Sequence, residues 1–443
     1  MAQLFIPALP IVVTPPQGVS SLPMIEINKN SVMTKHKQIR LHAGSYKWQT
    51  ANCSFGNFTQ HLGFTAWEFF HAAKKTELAS SFTNAFADRR AFLFAAEHED
   101  TFIWNTGNLR KTDNSVFALE DFAMAGLAGR VGEAIAYLTM IKWGYVFWDR
   151  CATVWERAAR SANITHSEQL RTVQYLSAKI ASGRPQNEPD FIFEKRNGDV
   201  ALMEAKGSFV NPTKDNPSAK ADLRQALTQL AAWSSVIVPT PKKSYGIATY
   251  FREEHDNNRD PSLIAYVDPP GRKDENIRPV ELPRDLVRRC NYGTWLVGMG
   301  LVSAGRALCE GKKKTIQMIE LPTVEVNGQR FVYAVMGFKS LPGHDNQLSY
   351  PLSWINGVFS RWHQSSGIFV IGIEQGVMYL ITEMLHRSKT ETMKRNGGHD
   401  VTGFSHHNNE EQSWSVMPDG SFLGILDYDT LDAGFKGMEK FNL

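Results

Sequence analysis

Three side chains in the stretch 187–207, NEPDFIFEKRNGDVALMEAKG, have the types and spacing to do chemistry together: Asp190, Glu204 and Lys206. Two apolar runs, FIF and VALM, flank Asn197-Gly198, so the stretch reads as a β-hairpin. Side chains alternate along a strand, which puts Val200, Leu202, Glu204 and Lys206 on one face and Ala201, Met203 and Ala205 on the other. Register decides whether Asp190 joins them, because a slip of one residue moves a whole strand to the opposite face. A two-residue turn at Asn197-Gly198 pairs Asp190 with Ala205. A three-residue loop, Arg196-Asn197-Gly198 with Gly198 left-handed in a G1 bulge, pairs it with Glu204. The second register is the expectation. Two carboxylates that close repel unless a cation sits between them, and Mg²⁺ or Mn²⁺, as one or two ions, is the natural hard partner for their oxygens. Beside such an ion a lysine ammonium can orient and help deprotonate a water, or stabilise charge on a phosphorane-like transition state. That chemistry is phosphodiester hydrolysis. The bland alternative is a solvated strand edge or a surface salt bridge. Against it, Pro189 precedes the aspartate, and Glu204 and Lys206 continue a strand that reads as buried, where unpaired charge is costly.

The elements that must position these residues follow from periodicity. Residues 1–30 read as an extended, proline-containing lead-in and 58–100 as helices. A helix is expected from about Phe117 to Ile141, with Leu127, Val131, Ile135 and Leu138 as its apolar stripe, then a strand from Tyr145 to Trp148 after a stop at Gly144. Helix over 152–183, the hairpin, a polar loop with two prolines, a helix over 221–235 and a strand over 245–251 complete an order α, β, α, β, β, α, β. The charged, Pro- and Gly-rich stretch 252–284 reads as a boundary or long loop. Beyond it come a helix near 292–309 and hairpins about Asn327-Gly328 and Gln375-Gly376. A polar tail spans 386–420, and a PDG turn lies between short strands. The fold class is α/β, in three regions: 1–115, mostly helical; 116–270, the core that carries the hairpin; and 271–443, α+β.

Pro189-Asp190 followed by Glu204-Ala205-Lys206, with GRVGEAIA (129–136) upstream, resembles the PD-(D/E)xK, or restriction-endonuclease-like, nuclease superfamily over roughly residues 120–251. The resemblance implies a mixed β-sheet core flanked by helices, with Asp190 and Glu204 as ligands of Mg²⁺ or Mn²⁺ and Lys206 assisting the attacking water. In that family a glutamate on the preceding helix often completes the metal shell, which carries over to Glu133. At 100° per residue Glu133 lies off the apolar stripe and shares a face with Gly129, Ala136 and Met140, small residues among them that let a helix approach a sheet closely. Gln225 and Gln229 are four apart on one helix face, and QLAAW (229–233) is similar to the Q-x-x-x-aromatic element of the RecB-like subset, which would make them substrate-binding. The implied protein is a metal-dependent DNA endonuclease, of a restriction or anti-phage defence kind. Its flanking regions would serve recognition or assembly, with a regulatory protein partner or a homo-oligomer as trigger. The alternative is a non-catalytic nucleic-acid- or protein-binding component that keeps the nuclease fold.

Composition narrows the field without choosing. Lys plus Arg is 48 and Asp plus Glu 45, a net charge of +3 that permits nucleic-acid binding but does not argue for it. Cys53, Cys151, Cys290 and Cys309 have neither disulfide-framework density nor zinc-site spacing, so reduced thiols and a cytoplasmic setting are expected. MAQLFIPALPIVVTPP is a poor signal peptide, and no apolar run is long enough to span a membrane. GGHDVTGFSHHNNEEQ (397–412) holds the His, Asp and Asn of an HNH-type site but lacks its ββα context and reads as a loop. The basic groups in KHKQIR (35–40), Lys312-Lys313-Lys314 and HRSKTETMKR (386–395) read as solvated surface ahead of phosphate contacts.

Overall fold

The computed structural model describes residues 19–27, 40–42, 47–49, 60–78, 101–104, 107–113, 115, 121–179, 188–209, 219–255, 261–268, 279–311, 318–335, 367–386 and 412–443. Two sheets dominate. The first is built from β1 (Val19–Glu26), β2 (Gln60–Thr65), β3 (Tyr145–Arg150), β4 (Phe191–Lys195), β5 (Val200–Phe209), β6 (Lys243–Phe251) and β7 (Leu263–Val267), in the order β2-β1-β7-β6-β5-β4-β3. The pairs β1/β7 and β5/β6 are parallel and the others antiparallel. The second sheet is antiparallel, in the order β11-β12-β10-β9-β8-β13, from β8 (Met318–Val326), β9 (Gln329–Val335), β10 (Gly367–Glu374), β11 (Trp414–Val416), β12 (Ser421–Asp427) and β13 (Phe435–Asn442). The helices are α1 (Ala66–Glu77), α2 (Asp121–Lys142), α3 (Cys151–Ser161), α4 (His166–Lys179), α5 (Ala219–Trp233), α6 (Leu286–Gly298), α7 (Val302–Glu310), α8 (Gln375–His386) and α9 (Tyr428–Gly434). The chain is thus a mixed α/β protein.

Helix α1 starts at a capping box: the Thr65 hydroxyl accepts from the Glu68 amide at 3.1 Å and the Glu68 carboxylate accepts from the Thr65 amide at 2.7 Å. It is buried almost all round because it packs against α2 on one side and against β11 and β12 on the other. Leu127, Val131, Ile135 and Leu138 of α2 are buried as their spacing predicts, but so are Ala134, Ala136, Tyr137 and Met140, so α2 is an interior helix rather than an amphipathic one. It ends at Gly144, which takes φ +83°. The Asn327-Gly328 turn, with φ +50° and +76°, joins β8 to β9 as expected.

Three expectations change. Gln375-Gly376 opens α8 rather than turning a hairpin: Val377, Met378 and Ile381 are buried at helical spacing. The polar stretch 252–284 is not all loop, because β7 lies within it and sits inside the first sheet between β1 and β6. The described part of 1–115 is not mostly helical, since β1 and β2 complete one side of that same sheet. One contiguous apolar cluster takes in Leu22, Trp67, Val131, Phe191, Met203, Trp295, Ile371 and Leu423, so all three stretches share it. Cys151, Cys290 and Cys309 are buried free thiols. Among the described residues no helix is long and apolar enough to cross a membrane. The tail 397–411 and Lys312-Lys313-Lys314 lie outside the described residues, as do residues 35–39 and the run after His386.

Candidate active site

The hairpin β4–β5 forms in the three-residue register. The Lys195 amide donates to the Asp199 carbonyl at 2.9 Å, the Gly198 amide returns to the Lys195 carbonyl at 2.9 Å, and Gly198 takes φ +88°. The Asn197 side-chain oxygen accepts from the Asp199 amide at 3.0 Å, which favours the turn locally. Phe191 pairs with Met203, so the next step of the ladder sets Asp190 opposite Glu204.

At that point the strands exchange side-chain bonds in place of backbone ones. Glu204 Oε2 accepts from the Asp190 amide at 3.0 Å, and Asp190 Oδ2 accepts from the Ala205 amide at 2.8 Å. Lys206 Nζ donates to Glu204 Oε1 at 2.5 Å. Glu204 is buried, at 1% exposure, while Asp190 is partly buried and the Lys206 side chain keeps 25%, so solvent reaches the aspartate and the lysine rather than the glutamate. Burial, then the neighbouring Asp190, pushes the Glu204 carboxyl up to about 8, against the pull of Lys206. Burial likewise raises the Asp190 carboxyl, opposed by the Ala205 amide, Arg150 and Lys206. Burial pulls the Lys206 ammonium down, but Glu204, with Asp190 and Asp222 beyond it, outweighs that and the net shift is upward.

Two glycines set the distance between this hairpin and α2. A Cβ at Gly132 would meet Gly207 Cα at 2.6 Å, and one at Gly207 would meet the Ala128 carbonyl oxygen at 1.8 Å. Helix α2 therefore touches β5 backbone to backbone, one residue beyond Lys206. The sequence led to small residues on this helix but to the face of Gly129 and Ala136, and a Cβ at Gly129 would meet nothing within 4 Å. On the other face α5 packs: a Cβ at Gly246, the strand neighbour of Glu204, would meet Ala226 Cβ at 2.9 Å. By alternation Glu204 and Lys206 face α5, and Gly207 faces α2. Asp222, in the first turn of α5, accepts from the Tyr250 hydroxyl at 2.9 Å and interacts electrostatically with Lys206.

Glu133 comes from α2 and is held by Arg150 at the end of β3. Nη1 donates to Oε1 at 3.1 Å and Nη2 to Oε2 at 2.7 Å, a fork-to-fork pair, while Nη2 also donates to the Thr76 carbonyl at 2.7 Å. The guanidinium lies 4.2 Å from the Phe191 ring centre. Burial pushes the Glu133 carboxyl up to about 7 although Arg150 opposes it, and Asp190 adds to the rise. Sequence reasoning missed Arg150. Its only signal would have been the pairing of Arg150 with Phe191, which spacing along the chain does not reveal. Of the two glutamines, Gln225 is exposed, while Gln229 is buried with Oε1 lacking a hydrogen-bond partner.

Asp190 and Glu204 fit a hard divalent cation: two adjacent carboxylates, one buried and one partly buried, whose affinity for a proton is raised by burial equally favour an ion in the proton's place. Mg²⁺ commonly takes one or two carboxylates and keeps several waters, so this pair is a sufficient protein contribution. Glu133 does not complete a tight three-carboxylate cluster with them. Among the described residues the one group of three His, Cys, Asp or Glu side chains with ligand atoms within 4.8 Å of one another is Asp113, Glu254 and His255, largely exposed. The Asp113–His255 ion pair accounts for that group's proximity. Comparisons with protein families, curated proteins and solved structures yield no match.

Proposed function

We propose that the chain is a metal-dependent nuclease that hydrolyses phosphodiester bonds in DNA on a restriction-endonuclease-like core. The observation that supports the reading best is the register: Asp190 stands opposite Glu204, with the Lys206 ammonium on Glu204, at one end of a buried hairpin. Asp190 and Glu204 would hold Mg²⁺ or Mn²⁺, which when bound supplies Lewis-acid stabilisation to a developing phosphorane. Lys206 does two things through one atom. Its Nζ favours the ionised form of Glu204 against the effect of burial, and a proton on that same Nζ is available to orient a water or to offset charge at the reacting phosphate. Burial of the pair strengthens both effects by excluding competing water dipoles. Action as a restriction or anti-phage effector, with a regulatory partner or self-assembly as trigger, belongs to the same proposal.

Plasmid and single-stranded DNA incubated with purified protein and Mg²⁺ or Mn²⁺ test it. Cutting is expected with either ion and not in EDTA, with Asp190→Asn and Lys206→Ala losing at least about a hundredfold of the rate. Metal-dependent cutting that survives both substitutions would refute the site. Metal-dependent DNA binding without cutting would favour a binding component of the same fold.

A further inference from the structure

Glu133 is the residue that a three-carboxylate metal shell would recruit, yet its carboxylate is engaged elsewhere. Both oxygens are taken by the fork of Arg150, at 3.1 and 2.7 Å. Arg150 is fixed in turn by the Thr76 carbonyl on α1 and by the Phe191 ring under its guanidinium. The pair therefore pins α1, α2, β3 and the start of β4 together. Both side chains are only partly exposed, Arg150 at 28% and Glu133 at 21%. Drawing Glu133 away would strip a half-buried guanidinium of its counter-charge, which is the costly way to break such a pair. Geometry adds a second obstacle. Phe191 and Met203 share the α2 face of the hairpin, and Arg150 pairs beside Phe191, so the Glu133–Arg150 pair lies on that face. Glu204 and Lys206 lie on the other, and Glu133, Asp190 and Glu204 do not come within ligand reach of a common point.

We infer that the metal seat of this chain consists of Asp190 and Glu204 without Glu133, and that Glu133 and Arg150 form a charge-neutral pin joining the elements around the site. The inference rests on the nuclease reading, because it concerns the ion that reading requires. It separates this chain from the three-carboxylate arrangement that the family resemblance implies. Waters and the hairpin backbone would fill the rest of the ion's coordination.

The test is Mn²⁺ binding to the full chain, followed by calorimetric titration and by the loss of the free-ion electron paramagnetic resonance signal. A Glu133→Gln/Arg150→Gln double variant removes the pair without changing the local net charge. It is expected to bind Mn²⁺ within about threefold of wild type, while Asp190→Asn weakens binding about tenfold or more, as loss of a ligand should. The pin has its own readout. The two single variants should together lower the melting temperature by more than the double variant does, because each single leaves a charge without its partner. A double variant that loses Mn²⁺ as severely as Asp190→Asn overturns the inference and leaves the nuclease reading standing; a wild type that binds no Mn²⁺ overturns both. Should the double variant fail to fold, the structure of the wild type with Mn²⁺ decides: an ion held by Asp190 and Glu204 alone among carboxylates supports the inference, and a Glu133 oxygen at about 2.0–2.2 Å from the ion refutes it.

Discussion

Replacing Gly207 by alanine adds one methyl group at the place where α2 and β5 touch. The new Cβ would lie 1.8 Å from the Ala128 carbonyl oxygen, 2.7 Å from the Ala128 carbonyl carbon and 3.0 Å from Gly132 Cα. Ordinary contact between such atoms begins near 3.5 Å, so the helix would have to retreat by about 1.5 Å. All three neighbours are backbone, so no rotamer change can relieve the overlap, and α2 is buried on nearly every side. Gly207 lies within a strand and has no left-handed φ, which makes space rather than conformation the constraint. Overpacking of this kind costs about 1–3 kcal/mol, and the rigid neighbours place Gly207→Ala at the top of that range or beyond. Gly132→Ala, whose Cβ would meet Gly207 Cα at 2.6 Å, should fall within it. Gly129→Ala supplies the control on the same helix: its Cβ meets nothing, so the usual helix preference for alanine should stabilise by about 0.5–1 kcal/mol. Urea unfolding followed by far-UV circular dichroism gives the order of midpoints, Gly129→Ala above wild type, then Gly132→Ala, then Gly207→Ala. Because Lys206 precedes Gly207, the last variant should also weaken Mn²⁺ binding. A Gly207→Ala midpoint equal to wild type would show that α2 does not rest on β5 as described.

Two further outcomes follow from buried charge. Lys75 and Asp419 pair at 2.6 Å with each side chain 1% exposed, so Lys75→Met should destabilise by about 3–5 kcal/mol by leaving Asp419 buried without its cation, and adding Asp419→Asn should recover part of the loss in the same urea assay. Folding raises the Glu204 carboxyl from 4.5 to about 8 and the Glu133 carboxyl to about 7, so between about pH 5 and 8 the folded chain keeps protons that the unfolded chain has released. Their contribution is present in full below the unfolded value and is lost as pH rises through the folded ones, so the metal-free protein should melt at progressively lower temperature from pH 5.5 to 8.5. Glu204→Gln should flatten that trend and Mg²⁺ should offset it at the alkaline end. A wild-type melting temperature in EDTA that climbs over the same window would contradict the assigned shifts.

The sequence by itself determined those features whose physics is local. The register of the hairpin was legible because a glycine that can take φ above zero, preceded by an asparagine that bonds its own backbone, leaves few turn geometries; Asp190, Glu204 and Lys206 follow from that turn by counting. The apolar stripe of α2 and the Asn327-Gly328 turn were legible for similar reasons. Tertiary structure decided what lies far apart along the chain. Arg150 meets Glu133 and Phe191 only because β3 pairs with β4, and no periodicity announces that neighbour. Gly132 rather than Gly129 carries the close approach because the rotation of α2 about its own axis is set by everything packed round it. The placing of β7 inside the sheet, despite its polar flanks, was hidden because strand order depends on which edges meet after collapse. Local turn chemistry brings the two acids together, whereas the long-range packing of α1, α2 and β3 settles which third charge may approach them.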